Sequence, residues 1–136
     1  MPSLQQLSCS IELASSHDKL REYNTTYGDG FVETFVAVPD FPTSFSIHLT
    51  SKGYIAPGLA MFVYMDGLYQ CNRNKGGCRL GRAAMDQEVN DLDFRVRQKE
   101  TKNRDGTFVA REWRFEKLDI GLSLTLLGKH FTVCND

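Results

Sequence analysis

FVETFVAVPDFPTSFSIHLTSKGYIAPGLAMFVYMDGLYQCN, residues 31–72, is the stretch whose reading decides the fold. Short apolar and aromatic runs alternate with Pro, Gly and Asp about every ten residues, the rhythm of an antiparallel β-sandwich. Residues 31–38 are apolar at both parities (Phe31 and Phe35 against Val32, Val36 and Val38), which fits a strand covered on both faces. Pro39 and Pro42 break that run. Phe45, Ile47 and Leu49 then alternate with Ser46, His48 and Thr50, so His48 is expected to point to solvent or to pack as a polar residue of that face. Residues 60–65 read as the next strand. Asp66-Gly67 is a two-residue hairpin turn that sets Met65 against Leu68 and Tyr64 against Tyr69.

Working outward, Leu7, Cys9, Ile11 and Leu13 alternate with Ser8, Ser10 and Glu12, a first strand with one buried face. Residues 19–23 read as a short second strand and 24–30 as a turn-rich connection. Residues 71–81, CNRNKGGCRLG, read as a long exposed basic loop, and residues 82–91 as a short helix that needs tertiary support. Residues 92–100 and 107–118 form a second hairpin around Asp105-Gly106. A two-residue turn there places Val96 opposite Phe115, Glu100 opposite Arg111, Lys99 opposite Glu112 and Arg95 opposite Glu116, with Arg97 facing Arg114. Residues 121–136 are a final strand or a loosely held tail. The expected architecture is therefore one mainly β domain spanning 1–136, with its core at about 7–119: an antiparallel β-sandwich of about seven to nine strands with one short helix.

The chain of 136 residues is long enough to bury a core without disulfides or metals. Phe and Tyr dominate its aromatic residues, which suits strands. A formal charge of −1 gives no overall attraction to nucleic acid or anionic membrane. The N-terminus has neither a basic start nor an apolar run of signal-peptide length, and no segment has the roughly 20 apolar residues of a membrane-spanning helix. A cytoplasmic or nuclear location is expected, with no membrane partner. In that setting Cys9, Cys71, Cys78 and Cys134 are expected as thiols, and the Asn24-Thr25-Thr26 sequon as chance.

Three chemistries bear on these residues. Cys71 and Cys78, with six residues between them, miss the spacing of common zinc sites, and His17, His48 and His130 are scattered, so no metal or cofactor is expected. A glycine-rich loop would also let Cys71 and Cys78 form a disulfide under oxidising conditions. No motif surrounds a thiol to support a cysteine–histidine enzyme, and serine-hydrolase, P-loop and dinucleotide motifs are absent, so no catalytic residues are expected. Charge, however, is divided along the chain. Residues 1–72 carry three basic and seven acidic side chains, and residues 73–117 carry twelve and eight. The basic region 73–104 is thus a candidate phosphate footprint, which its cross-strand acidic partners weaken.

Four segments, KLREY at 19–23, FVETFVAVPDFPTSFSIHL at 31–49, FVYMDG at 62–67 and REWRFEKLD at 111–119, together resemble a family of uncharacterised fungal β-sandwich domains, a domain of unknown function. The resemblance covers roughly residues 9–119 and rests on strand patterns. It implies a fungal origin and a β-sandwich, and it brings no activity or binding residue.

The function expected from the residues is a non-enzymatic intracellular protein-interaction module that binds a protein partner or itself. Its candidate binding residues are Tyr64, Tyr69, Arg73, Lys75, Arg79, Arg82 and Arg97. The alternatives are a nucleic-acid-binding domain using 73–104, and a cysteine-dependent enzyme or zinc-binding protein.

Overall fold

Alternation of apolar and small polar side chains puts the strand at residues 43–51 in the middle of the molecule, covered on both faces. In the computed structural model, residues 1, 3–4, 6–51, 59–75, 92–116 and 129–134 are described. Strand β5 (Thr43–Ser51) buries Phe45, Ile47 and Leu49 on one side and Ser46, His48 and Ser51 among its remaining positions. Along one edge it pairs antiparallel with β2 (Leu7–Leu13), which pairs in turn with β1 (Ser3–Leu4). Along the other edge two short strands lie end to end. β8 (Asp93–Val96) takes Ile47 to Thr50, and β11 (Arg114–Phe115) takes Thr43 and Ser44.

The remaining strands form three further antiparallel groups. β3 (Glu22–Gly28), β4 (Phe31–Val36) and β12 (Lys129–Cys134) make a three-stranded sheet with β4 in the centre. β6 (Leu59–Met65) pairs with β7 (Leu68–Lys75), and β9 (Gln98–Lys102) with β10 (Phe108–Glu112). The mainly β, antiparallel class expected from the sequence is the one observed, with all twelve strands of the described residues in antiparallel ladders. The expected helix at 82–91 lies outside the described residues. One core joins the five-stranded sheet to two of these groups: Ile11, Phe45, Ile47, Val96, Trp113 and Phe115 from that sheet and its flank meet Val36 of β4, Val63 of β6 and Cys71 of β7.

The Asp66-Gly67 turn is as expected. Both residues take positive φ, 52° and 74°, the type I′ geometry that matches strand twist, and Met65 faces Leu68 as Tyr64 faces Tyr69. The second hairpin differs from expectation. Asn103 N–H donates to the Thr107 carbonyl at 2.7 Å, Gly106 N–H donates to the Asn103 carbonyl at 3.1 Å, and Gly106 has φ 87°. The loop therefore has three residues, with Gly at the left-handed position, and the register moves by one. Arg111 faces Lys99 and Ala110 faces Glu100, so the expected Glu100–Arg111 and Lys99–Glu112 pairs do not form.

The same hairpin does not continue as one ladder. Trp113 N–H donates to the Arg97 carbonyl at 2.9 Å, and Phe45 N–H donates to the Trp113 carbonyl at 3.1 Å. At Arg97 and Trp113 both chains leave the hairpin for β5. Val96 consequently pairs with Ile47 and Phe115 with Thr43. Arg95 reaches Glu12 where Glu116 was expected, and the Arg97–Arg114 repulsion is replaced by exposed contacts of each with Glu112 and Glu116.

Three further expectations are corrected. Residues 24–28 belong to β3, where Asn24 accommodates a bulge with φ 49° between Tyr23 and Thr26. The segment beginning at Cys71 continues β7 to Lys75 before the described residues stop. Phe31 and Phe35 sit on the more exposed face of β4, while Val32, Thr34 and Val36 are buried. At the C-terminus, residues 129–134 form β12 along β4, so that part of the chain belongs to a sheet.

Candidate functional site

Polar side chains on the non-core faces of β2, β5 and β8 meet because β5 lies between the other two. Ser10 faces His48, Glu12 faces Ser46, and His48 faces Arg95. Glu12 is only 1% exposed. Its Oε1 lies 2.6 Å from His48 Nδ1 and accepts a long hydrogen bond from Ser10 Oγ at 3.4 Å, while its Oε2 accepts from Arg95 Nε at 2.8 Å. The other ring nitrogen of His48, Nε2, lies 2.7 Å from Asp93 Oδ1. Arg95 Nη2 also comes within 3.3 Å of His48 Nδ1, so the ring is held between Glu12, Arg95 and Asp93. Of the two expectations for His48, solvent exposure or packing as a polar residue of its face, the structure shows the second.

Burial pushes the Glu12 carboxyl up, but hydrogen bonds from Arg95 and His48, reinforced by their charges, more than reverse it and leave the pKa below the ordinary carboxylate value. The His48 hydrogen bond likewise holds Asp93 below its ordinary value, aided by the charges of His48 and Arg95. These carboxyls bind fewer protons in the folded than in the unfolded chain. Their contribution to stability is therefore fully present above the unfolded value, about pH 4 to 4.5, and is lost as pH falls through the lower folded values. From these two carboxyls a urea midpoint that falls as the pH drops below about 4 is expected. A Glu12→Gln protein should show a shallower drop over the same interval.

Above this chain opens a cleft of about 300 Å³. Arg73 from β7, Arg95 from β8, Arg97 and Gln98 from the β8–β9 junction, and His17 from the β2–β3 turn line it, with Ser46 of β5 also in its wall. His17 adopts φ 62°, an uncommon backbone conformation outside glycine, and its Nδ1 stands 3.9 Å from Glu12 Oε2. Arg73 grips Glu100 with two nitrogens at 3.2 and 2.7 Å, and Gln98 Nε2 donates to the same carboxylate at 3.1 Å. The Gln98 and Arg73 hydrogen bonds hold the Glu100 carboxyl below its ordinary value. Arg97 is held least: its side chain is 61% exposed and its Nε is 4.0 Å from Glu112, the outer limit of an ion pair. Ser46 is 2% exposed, and its Oγ has no hydrogen-bond partner among the described residues.

Of the binding residues named from the sequence, the structure brings Arg73 and Arg97 together at this cleft. Tyr64 and Tyr69 lie at the β6–β7 turn, both exposed, with ring centroids 5.7 Å apart in an edge-to-face arrangement. Lys75 ends β7, and nothing is described of its side chain. Arg79 and Arg82 lie outside the described residues, as does Cys78. Sequence reasoning held Arg95 only within the basic region 73–104, and it missed Ser46, His17 and the Glu12–His48–Asp93 chain beneath them.

No family model, curated protein or solved structure matches this chain. Cys71 is buried in β7 rather than exposed in a loop, and Cys9 is half-buried in β2. Burial, with a smaller contribution from Glu22, pushes the Cys9 thiol up to about 12, and burial raises that of Cys71, so neither has thiolate character. Among the described residues, no three His, Cys, Asp or Glu side chains are grouped so as to hold a metal ion, and no helix is long and apolar enough to cross a membrane.

Proposed function

We propose that this protein is a non-enzymatic interaction module that binds an acidic segment of a protein partner across the cleft of Arg73, Arg95 and Arg97. The observation that carries this reading is the convergence of three arginines, from β7, β8 and the β8–β9 junction, on one concave surface. Two of them are fixed from behind by carboxylates: Arg95 by Glu12 and Arg73 by Glu100. Guanidinium groups held in this way lose little conformational freedom when an acidic partner arrives. Arg97, exposed and loosely paired, is the cation most available to it.

The test is fluorescence anisotropy with a labelled Glu-rich peptide. Binding is expected at low ionic strength, weakening as salt rises. Arg97→Glu should lower the affinity about tenfold or more while leaving the urea midpoint within about 0.5 kcal/mol of the parent, because the residue is exposed. An Arg97→Glu protein that binds the peptide as well as the parent overturns the assignment.

The observed hairpin register gives some support to a second reading. Lys99 and Arg111 face each other across the β9–β10 ladder, and among the described residues neither has an ion-pair partner. The acidic partners that weakened the basic region in the sequence reading are therefore missing from those two residues. A nucleic-acid-binding domain would use this exposed face. Retardation of an oligonucleotide in a gel, steeply reduced by salt and abolished by a Lys99→Glu/Arg111→Glu protein that still binds the acidic peptide, would favour it.

A further inference from the structure

We propose that the cleft seats one phosphomonoester, carried on a side chain of the acidic segment; this rests on the function proposed above and specifies its ligand. Two independent observations point to it. The first is the cationic lining of Arg73, Arg95 and Arg97. The second is the Ser46 hydroxyl in the same wall, almost wholly buried and without a partner. A buried hydroxyl that makes no hydrogen bond is a standing cost in the ligand-free protein, and an acceptor in the cleft removes that cost.

The number and charge of the lining groups favour a phosphomonoester over a carboxylate. Ser46 comes from β5, Arg97 from the β8–β9 junction and His17 from the β2–β3 turn, so groups from three segments line the cleft beside Arg73 and Arg95. A carboxylate offers two oxygens and a single charge. A phosphomonoester offers three terminal oxygens and a charge of about −1.5 to −2 at neutral pH. Its third oxygen and extra charge meet a site whose carboxylates, Glu12 and Glu100, are already engaged by Arg95 and Arg73. Arg97 supplies the unengaged fork, since its contact with Glu112 is at the limit of an ion pair and is solvent-exposed on both sides. Ala14 and Val96 line the same space and give the methylene stem of a phosphorylated side chain an apolar wall.

The experiment compares three labelled peptides that differ at one central position: serine, glutamate or phosphoserine. The phosphoserine peptide is expected to bind about tenfold tighter than the glutamate peptide, and inorganic phosphate should displace it. Ser46→Ala separates a ligand role from a structural one. Removing an unpartnered buried hydroxyl should leave the urea midpoint unchanged or raised, while phosphoserine-peptide affinity falls about tenfold and glutamate-peptide affinity changes less. Equal affinity for the glutamate and phosphoserine peptides overturns the phosphate assignment and leaves the acidic-segment reading standing. Absence of binding by both charged peptides overturns the two together. Ser46→Ala with unchanged affinity for phosphoserine peptide also overturns the proposed seat.

Discussion

Replacing Glu12 by Gln is expected to destabilise the fold by about 3–5 kcal/mol, the range for breaking a buried ion pair by removing one partner. For a domain whose total stability is on the order of 5–15 kcal/mol, that is a large share of the folded state. The reason lies in what remains behind. Arg95 is 36% exposed and can turn toward water, but the His48 ring stays enclosed, with Nδ1 facing an amide in place of a carboxylate. The loss is thus dominated by buried polar groups of His48 and Arg95 left facing a weaker, uncharged partner, with only Asp93 still engaging the ring. Replacing Glu12 and His48 together tests this. Glu12→Gln with His48→Gln removes both partners of the enclosed contact at once and should recover part of the stability lost in the single variant, a coupling that a double-mutant cycle measures directly. Strictly additive losses would show that the two residues act independently, and a single variant within about 0.5 kcal/mol of the parent would remove Glu12 from any structural role.

The components of that chain were visible in the sequence, but their meeting was not. Ser8, Ser10 and Glu12 on one segment, and Ser46, His48 and Thr50 on another, are polar stripes at period two. Such stripes ordinarily mark a solvated face. What reverses the reading is that β5 is interior to its sheet, flanked by β2 on one side and by β8 and β11 on the other. Strand order is a long-range property that local alternation does not encode. Complementary charge was the available signal: a carboxylate and a histidine on polar stripes, with Asp93 and Arg95 on a third, form a set that can neutralise itself when brought together.

Turns were legible where residue type dictates backbone geometry. Asp66-Gly67 fixes its hairpin because both positions require positive φ, and it placed Tyr64 against Tyr69 correctly. Asp105-Gly106 carries a similar dipeptide yet closes a three-residue loop, because Asn103 and Thr107 make the bracketing backbone hydrogen bonds. Thr107 also donates from its N–H and Oγ1 to Asp105 Oδ1, at 2.9 and 2.6 Å, which secures this longer loop. One residue of loop length then changes every cross-strand partner. Three opposite-charge pairs in the expected register were a coincidence of a segment rich in both signs, and the arginines at the cleft were assembled by tertiary contacts that the hairpin alone does not specify.

Phe115→Ala is expected to cost about 3–5 kcal/mol, as large as any core truncation in this chain. Phe115 is 1% exposed and stacks on Phe45 with ring centroids 4.2 Å apart and planes at 17°. Phe45 in turn stacks with Trp113 at 6.0 Å. Strand β11 has only two residues, so its attachment to β5 depends on this aromatic contact more than on its short ladder. Truncation removes the ring that ends the stack against Phe45, and Phe45 is held by β5, which limits collapse into the cavity. The single tryptophan makes the result directly readable. Trp113 is buried beside the lesion, so its emission in the folded variant should move to longer wavelength as its surroundings become wetter, alongside the lowered urea midpoint. Phe41→Ala is the control: this ring is 64% exposed, and its loss should shift the midpoint by no more than about 0.5 kcal/mol without altering Trp113 emission. Because β11 and β8 share one edge of β5, loosening β11 also frees the chain at Trp113, whose N–H is bonded to the Arg97 carbonyl. The Phe115→Ala protein should therefore bind the acidic peptide more weakly than the parent even where it remains folded, whereas Phe41→Ala should bind it normally. Loss of stability with full peptide affinity would show that the cleft is held by β8 and the Glu12 ion pairs alone.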